Sequence, residues 1–237
     1  MKQDVCEKCN GTGWVMVIKE DREVARKCEC QALDLQIKKN DHANIPPRFQ
    51  GASLMSVIDG FPVDKSNPSQ GRAKEMAIQF IKMYPSELKG PLFQGRVGLG
   101  KTKLLCSIGC DLIKKGVDVY YIDWNDLVRE MRTGEGATTR DFSTIHFLIT
   151  RLIEVDLLLF DELGASKVSP WVDDNIYYLF NRRYNNNKST ICATNYLDNP
   201  TDGQESLSQR IGERIRSRLY EMTKAVEIKG SDFRKKT

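Results

Sequence analysis

Residues Gly95-Arg-Val-Gly-Leu-Gly-Lys-Thr102 decide the reading of this chain. The stretch fits G-x-x-x-x-G-K-[ST], the Walker A phosphate-binding loop. Gly95 and Gly100 let the backbone curl so that successive N–H groups converge on phosphate oxygens. Lys101 is placed to neutralise the β- and γ-phosphates and the Thr102 hydroxyl to hold Mg²⁺. Arg96, Val97, Gly98 and Leu99 supply the backbone between. Pro91-Leu-Phe-Gln94 predicts a short apolar strand entering the loop. Lys103-Leu-Leu-Cys-Ser-Ile108 predicts a helix whose N-terminus faces the anion. A chance Gly-rich turn would lack both flanks, so the chain is expected to bind ATP.

Outward from the loop, helix and strand patterns alternate from residue 71, which predicts an α/β domain with a parallel sheet. Ala73 to Met83 is expected to be helical and Val117 to Asp123 a strand. Val155-Asp-Leu-Leu-Leu-Phe160 reads as a buried strand ending in Asp161-Glu162, and Thr190 to Thr194 as another ending at Asn195. An acidic pair after an apolar run is the Walker B pattern. Asp161 would order the Mg²⁺ shell and Glu162 would act as the general base that orients water. Asn195 reads equally as a ligand to that water and as a turn-forming residue before Tyr196. A helix is expected near 206–220, with Leu207, Ile211, Ile215 and Leu219 as its buried stripe. Arg210, Arg214 and Arg218 share that spacing alongside. They are either a solvated row or an arginine finger aimed at a neighbouring subunit, which requires a head-to-tail ring or spiral.

The first thirty residues carry a different chemistry. Cys6, Cys9, Cys28 and Cys30 are spaced C-x2-C-x18-C-x-C, with an apolar strand and a polar turn between the pairs. A knuckle followed by glycine turns two sulfurs toward one ion, and a hairpin returns the second pair to complete a tetrahedron. Four thiolates favour a closed structural Zn²⁺ site, whose binding energy would fold so small a module. A redox pair at Cys6 and Cys9 lacks a βαβ context, and an iron–sulfur cluster is the remaining alternative. The predicted organisation is a zinc-binding module with a short helix over 1–42, a linker and entry segment over 43–70, and the ATPase domain over 71–237.

Composition sets outer limits. The chain has 237 residues, 40% hydrophobic and 29% charged, with a formal net charge of +4. It is no polycation, so nucleic-acid contact needs local basic patches. No apolar run is long enough to span a membrane, and the first residues lack a signal-peptide core. Seven cysteines, an odd number without a secretion signal, point to the reducing cytoplasm. Cys106 and Cys110 read as small core residues. His42 and His146 receive no functional role.

The Walker A loop, Leu158-Leu-Phe-Asp-Glu-Leu-Gly-Ala-Ser-Lys-Val-Ser-Pro-Trp171, Thr194-Asn-Tyr196 and Glu213-Arg-Ile-Arg-Ser-Arg-Leu-Tyr220 resemble the DnaC/DnaI-type helicase loaders of the AAA+ superfamily. Lys229-Gly-Ser-Asp-Phe-Arg234 is similar to that family's ending, and the likeness runs from about Ile45 to Arg234. The resemblance implies a P-loop sheet sandwiched by helices without a C-terminal helical lid. It makes Asn195 the sensor-1 residue and Arg218 the finger, with Arg214 in support. Arg234 would be a nucleotide contact. It implies a replicative helicase, single-stranded DNA and further copies of the chain as partners. Arg129, Arg132, Arg140, Arg151, Thr138 and Thr139 are the DNA-facing candidates, and each reads equally as an ordinary exposed residue on an amphipathic helix. An IstB-type transposition ATPase, acting on duplex DNA with a transposase, shares the core motifs but typically lacks the cysteine pairs. An ATP-gated zinc-ribbon protein without turnover is disfavoured by Glu162, and a small-molecule kinase by the lack of a lid segment or substrate-acid cluster.

Overall fold

A computed structural model describes residues 6–10, 12–19, 22–30, 42–55, 68–134, 139–201 and 203–232. Residues 31–41, where the short helix of the 1–42 module is expected, the 56–67 stretch of the linker, Thr138 and Arg234 lie outside them, as do the side chains of Thr139 and Arg140.

Two strands, β1 (Trp14–Lys19) and β2 (Arg22–Lys27), form the N-terminal antiparallel hairpin, with Trp14 opposite Lys27 and Lys19 opposite Arg22. The chain then builds α1 (Pro68–Met83), β3 (Gly90–Gln94), α2 (Lys101–Lys114), β4 (Val119–Asp123) and α3 (Trp124–Gly134). It continues through α4 (Thr139–Glu154), β5 (Leu157–Asp161), α5 (Pro170–Asn185) and β6 (Ser189–Thr194). The last elements are α6 (Leu207–Ile211), α7 (Glu213–Met222) and β7 (Thr223–Glu227).

Among the described residues, five strands form one parallel sheet in the order β4-β5-β6-β3-β7. The near-continuous apolar runs of β3, β5 and β6 arise because both sheet faces are covered. Alternation still sorts their side chains. Leu157, Leu159, Ile191 and Phe93 pack under α1 and α2 with Phe80, Leu104 and Ile108. Leu158, Phe160, Cys192 and Leu92 pack on the other side with Leu127, Leu152, Ile176, Phe180 and Leu219. This is the expected α/β sandwich, and it brings the carboxyl ends of β3, β5 and β6 to one edge, where such folds hold ligands.

Three boundaries differ from expectation. The helix near 206–220 is two helices, because Gly212 takes a positive φ of 79° and breaks the ladder. Leu207, Ile211, Ile215 and Leu219 are nevertheless all buried. Strand β4 begins at Val119, since the Val117 N–H still donates to Leu112 O at the end of α2. The first part of the expected linker is packed against the ATPase core. Ala43 and Ile45 are buried, Tyr121 N donates to Ala43 O at 2.8 Å, and Asn44 Nδ2 donates to Tyr121 O at 3.0 Å. Asp111 accepts from Ser53 Oγ at 2.5 Å and Leu54 N at 2.8 Å.

A buried guanidinium organises the far end of the sheet. Arg183 donates through Nη1 to Leu152 O, Ile153 O and Val155 O, and through Nε to Thr190 Oγ1. These carbonyls are the orphan acceptors at the end of α4. Burial pushes its pKa down to about 9.

Candidate nucleotide and metal sites

The loop from Gly95 to Gly100 joins β3 to α2, so the N-terminus of α2 opens directly onto it. Gly95 has φ 144°, and a Cβ there would stand 2.3 Å from Ile228 O. Only glycine lets the loop start this close to the chain leaving β7. Lys101, nearly buried, donates to Gly95 O at 2.7 Å, Arg96 O at 2.8 Å and Asn195 Oδ1 at 2.8 Å. The ammonium thus spans the loop and the end of β6, where an entering phosphate would meet it. Arg96 and Val97 are exposed, Leu99 is buried in the core, and Thr102 follows Lys101 in the first turn of α2.

Asp161 ends β5 and is buried. Its Oδ2 accepts from Tyr121 Oη at 3.0 Å and its Oδ1 from Glu162 N at 2.9 Å. Tyr121 stands on the neighbouring strand β4, and burial followed by the Asp161 charge drives its phenol well above the ordinary tyrosine range. The phenol is therefore a donor throughout the neutral range. Glu162 is exposed and has φ 50°, a conformation costly for a residue with a Cβ. The turn is over-determined around it: Leu163 N donates to Ala193 O at 2.9 Å and Thr194 Oγ1 to Leu163 O at 2.8 Å. Glu162 is thus held out from the strand end while Asp161 is held in.

The arginines part company. Arg210 is committed to Gly164 O at 2.9 Å, Ala165 O at 3.0 Å and Glu205 at 2.9 Å. Arg214 lies 3.7 Å over the Tyr177 ring and 3.5 Å from Asp174. Arg218 lies over Tyr184 and donates to Asn181 Oδ1 at 3.2 Å. Both therefore run along α5. Arg216, which the four-residue spacing passes over, is buried. It grips Asp198 through Nε at 2.5 Å and Nη2 at 2.7 Å over the Tyr220 ring. Gln94, the residue before Gly95, donates to the same carboxylate at 3.1 Å. The sequence signal for Arg216 was its place beside Ile215 on the buried stripe.

Of the DNA-facing candidates, Arg129 is exposed beside Asp126 at 3.9 Å, and Arg132 Nη2 donates to Lys167 O at 3.4 Å. Arg151 forms a two-pronged pair with Asp118 at 2.6 and 2.7 Å, so it is a less available cation. Cys106 and Cys110 are buried with their thiols pushed up by desolvation, in keeping with core residues. His42 and His146 are exposed.

The hairpin carries the second site. Cys9 N donates to Cys6 O, Thr12 N to Cys9 O and Gly13 N to Cys9 Sγ, which forms the knuckle. Cys28 N donates to Gly13 O at 2.8 Å and closes the other side. The sulfurs of Cys6, Cys9, Cys28 and Cys30 all lie within 4.8 Å of one another, with Cys6 to Cys28 at 3.8 Å and Cys9 to Cys30 at 3.5 Å. Tetrahedral Zn–S bonds of about 2.3 Å put sulfurs about 3.8 Å apart, so the set fits zinc. Hydrogen bonding with Cys9, then with Cys28, pushes the Cys30 thiol up to about 12. A shared cation would remove that crowding of protons.

Comparison with known proteins agrees with this geometry. A family model described as IstB-like ATP binding protein matches residues 87–237. The replicative helicase loader DnaC of Escherichia coli strain K12 is 26% identical over 199 residues, covering 84% of this chain and 74% of that one. A crystal structure of the DnaC helicase loader superposes with a TM-score of 0.61 at 30% identity, covering 78% of this chain and all of the other. An insertion sequence IS232 putative ATP-binding protein from Bacillus thuringiensis subsp. berliner is 26% identical over 162 residues, 68% of this chain and 62% of its own. No helix among the described residues is long and apolar enough to cross a membrane. With its family match, its sheet and its phosphate loop, the chain belongs to the IstB-like ATP-binding family, as a DnaC/IstB-type AAA+ ATPase with a four-cysteine cluster near its N-terminus.

Proposed function

We propose that this protein is an ATP-dependent helicase loader that binds the replicative helicase and single-stranded DNA at the start of DNA replication, in the cytoplasm. The observation that carries the reading is the run of similarity to a helicase loader through 84% of the chain. The four-cysteine hairpin ahead of the ATPase supports it, because the IstB-type ATPases that share the core motifs typically lack the cysteine pairs.

In this reading the loop N–H groups of residues 95–102 and Lys101 hold the phosphates of ATP, while Thr102 and Asp161 hold Mg²⁺. The bound Mg²⁺ supplies charge neutralisation at the phosphates. Glu162 takes a proton from, and orients, the attacking water, and Asn195 holds that water or the terminal phosphate. Arg218, supported by Arg214, completes the site of a neighbouring copy, a reading supported by their position along α5. A ring or spiral of copies then couples hydrolysis to release of the helicase. The test is loading of the host's replicative helicase onto a single-stranded DNA circle, with and without this protein and ATP. ATP-dependent stimulation supports the loader, and no stimulation refutes it.

The similarity to an insertion-sequence ATP-binding protein and the family model itself favour a second reading, a transposition helper that acts on duplex DNA with a transposase. ATP-dependent retention of duplex DNA without any effect on the helicase would select it.

A further inference from the structure

The segment after β7 runs along the phosphate loop. Ile228 N donates to Gln94 O at 2.7 Å, and Ile228 O fills the place of a Cβ on Gly95. Lys229 is pinned to the start of α1, its N–H donating to Ser69 Oγ at 2.9 Å and its carbonyl accepting from Gln70 Nε2. Four residues past Ile228, the Asp232 carboxylate lies on Gly98, where a Cβ would stand 1.9 Å from Oδ1, 2.1 Å from Cγ and 2.7 Å from Oδ2. Gly98, with φ 82°, is the loop position whose missing side chain makes room for that carboxylate. Among the described residues this acid is placed on the phosphate loop itself, beside N–H groups of the kind that attract anions.

The strand order explains which part of a nucleotide it would meet. Asp161 and Asn195 end β5 and β6, on one side of β3, and β7 lies on the other. The terminal phosphate belongs with Lys101, Asp161 and Asn195. The remainder of the nucleotide must leave the loop toward β7, the side that carries Asp232. Ionised carboxylates only accept hydrogen bonds. Phosphates offer it no donor and repel it, whereas ribose offers two vicinal hydroxyls. The sugar follows the α-phosphate directly, so its hydroxyls are the first donors that the nucleotide itself offers beyond its phosphates. Dinucleotide-binding folds use an acid on ribose hydroxyls for the same chemical reason.

We propose that Asp232 is a specificity-determining residue of the nucleotide site, its carboxylate accepting hydrogen bonds from the ribose hydroxyls of the bound nucleoside triphosphate. The inference rests on the loop holding ATP and not on the loader reading. It makes the segment after β7 part of the nucleotide site and assigns it the task of telling ribonucleotides from deoxyribonucleotides.

Equilibrium binding by calorimetry, with the full chain and Mg²⁺, tests it using ATP, 2′-deoxyATP and inorganic tripolyphosphate. The wild type should bind ATP about tenfold more tightly than 2′-deoxyATP, the value of one charge-assisted hydrogen bond. Asp232→Ala should weaken ATP about tenfold and bring the ratio of the two nucleotides to about one, with tripolyphosphate affinity unchanged. Asp232→Asn, which keeps the shape and one acceptor, should fall between. Unchanged ATP affinity and an unchanged ratio in both variants would overturn the role of Asp232 alone. A rise in ATP and tripolyphosphate affinity together would also overturn it, making the carboxylate a plug that competes with phosphate. A wild type that binds no ATP would remove the nucleotide site and this proposal with it.

Discussion

Lys101 and Asn195 stand 94 positions apart in sequence, yet Lys101 Nζ donates to Asn195 Oδ1 at 2.8 Å. The bond joins the first turn of α2 to the end of β6 across the loop that starts at Gly95. It places the cation and the amide at one point before any phosphate arrives. An entering anion must draw Lys101 from Asn195 and from the carbonyls of Gly95 and Arg96. Loss of each partner should therefore have a distinct signature. Lys101→Ala should abolish measurable ATP binding. Asn195→Ala should leave ATP affinity within about threefold while turnover falls about tenfold to a hundredfold, the range for one positioned polar group. Calorimetry beside steady-state phosphate release separates the two. Equal losses in affinity from both variants would contradict a role for Asn195 beyond holding the lysine.

Tyr121 is a hidden support of Asp161. Its hydroxyl is the donor that points Oδ2 of the carboxylate, so Tyr121→Phe should raise the Mg²⁺ concentration needed for half-maximal turnover and cost about 1–2 kcal/mol of stability. The phenol is held above its ordinary value in the folded chain by burial, so the folded state keeps a proton that the unfolded chain releases. Its contribution to stability is complete below about pH 10, the unfolded tyrosine value, and is lost as pH rises beyond it. Chemical denaturation of the wild type and Tyr121→Phe between neutral and alkaline pH measures this. Wild-type stability should fall more steeply, and parallel curves would contradict the assignment.

Zinc should be bound in a ratio of about one per chain through Cys6, Cys9, Cys28 and Cys30. Replacing any one of them with Ala should drop the metal content measured by elemental mass spectrometry. Chelation should unfold the hairpin, since the metal supplies its folding energy. The sheet has a separate core made from other residues, so the main thermal transition should move little. Loss of the whole transition on chelation would show that the hairpin supports the ATPase, contrary to this account.

Arg218 and Glu162 make a mixing experiment. Arg218→Ala keeps its own loop and Glu162, while Glu162→Gln keeps Arg218. Each alone should retain ATP binding and lose hydrolysis, Glu162→Gln by about a hundredfold or more, and Arg218→Ala by about a thousandfold. If the arginine serves a neighbour, mixing the two should restore a substantial fraction of turnover, because some interfaces pair an intact Glu162 with an intact Arg218. No recovery on mixing would place Arg218 in a purely structural role along α5.

The parts of the fold that were legible were those set by local pattern. The apolar runs of β3, β5 and β6 required burial on both faces, and the glycines of the phosphate loop needed a strand before and a helix after. The break at Gly212 was hidden because Ile211 and Ile215 keep their stripe across it, and apolar spacing is blind to a positive φ. The committed pairs were hidden as well. Nothing near Arg151 in sequence announces Asp118, and nothing near Arg216 announces Asp198, since each pair is made by tertiary packing. Tyr121 and Asp232 were hidden for the same reason, one acting from the adjacent strand and the other from the segment after β7. The cysteine tetrad was legible because its spacing alone prescribes a hairpin.

The central claim, that the chain grips a replicative helicase, is tested most directly by native mass spectrometry of the zinc-loaded protein with its host's replicative helicase, with and without ATP. The account predicts a complex of defined stoichiometry that disappears when residues 1–42 are deleted while ATP binding by the remaining chain persists. Absence of any complex under both conditions, together with ATP-dependent binding to a transposase or to duplex DNA, would contradict it.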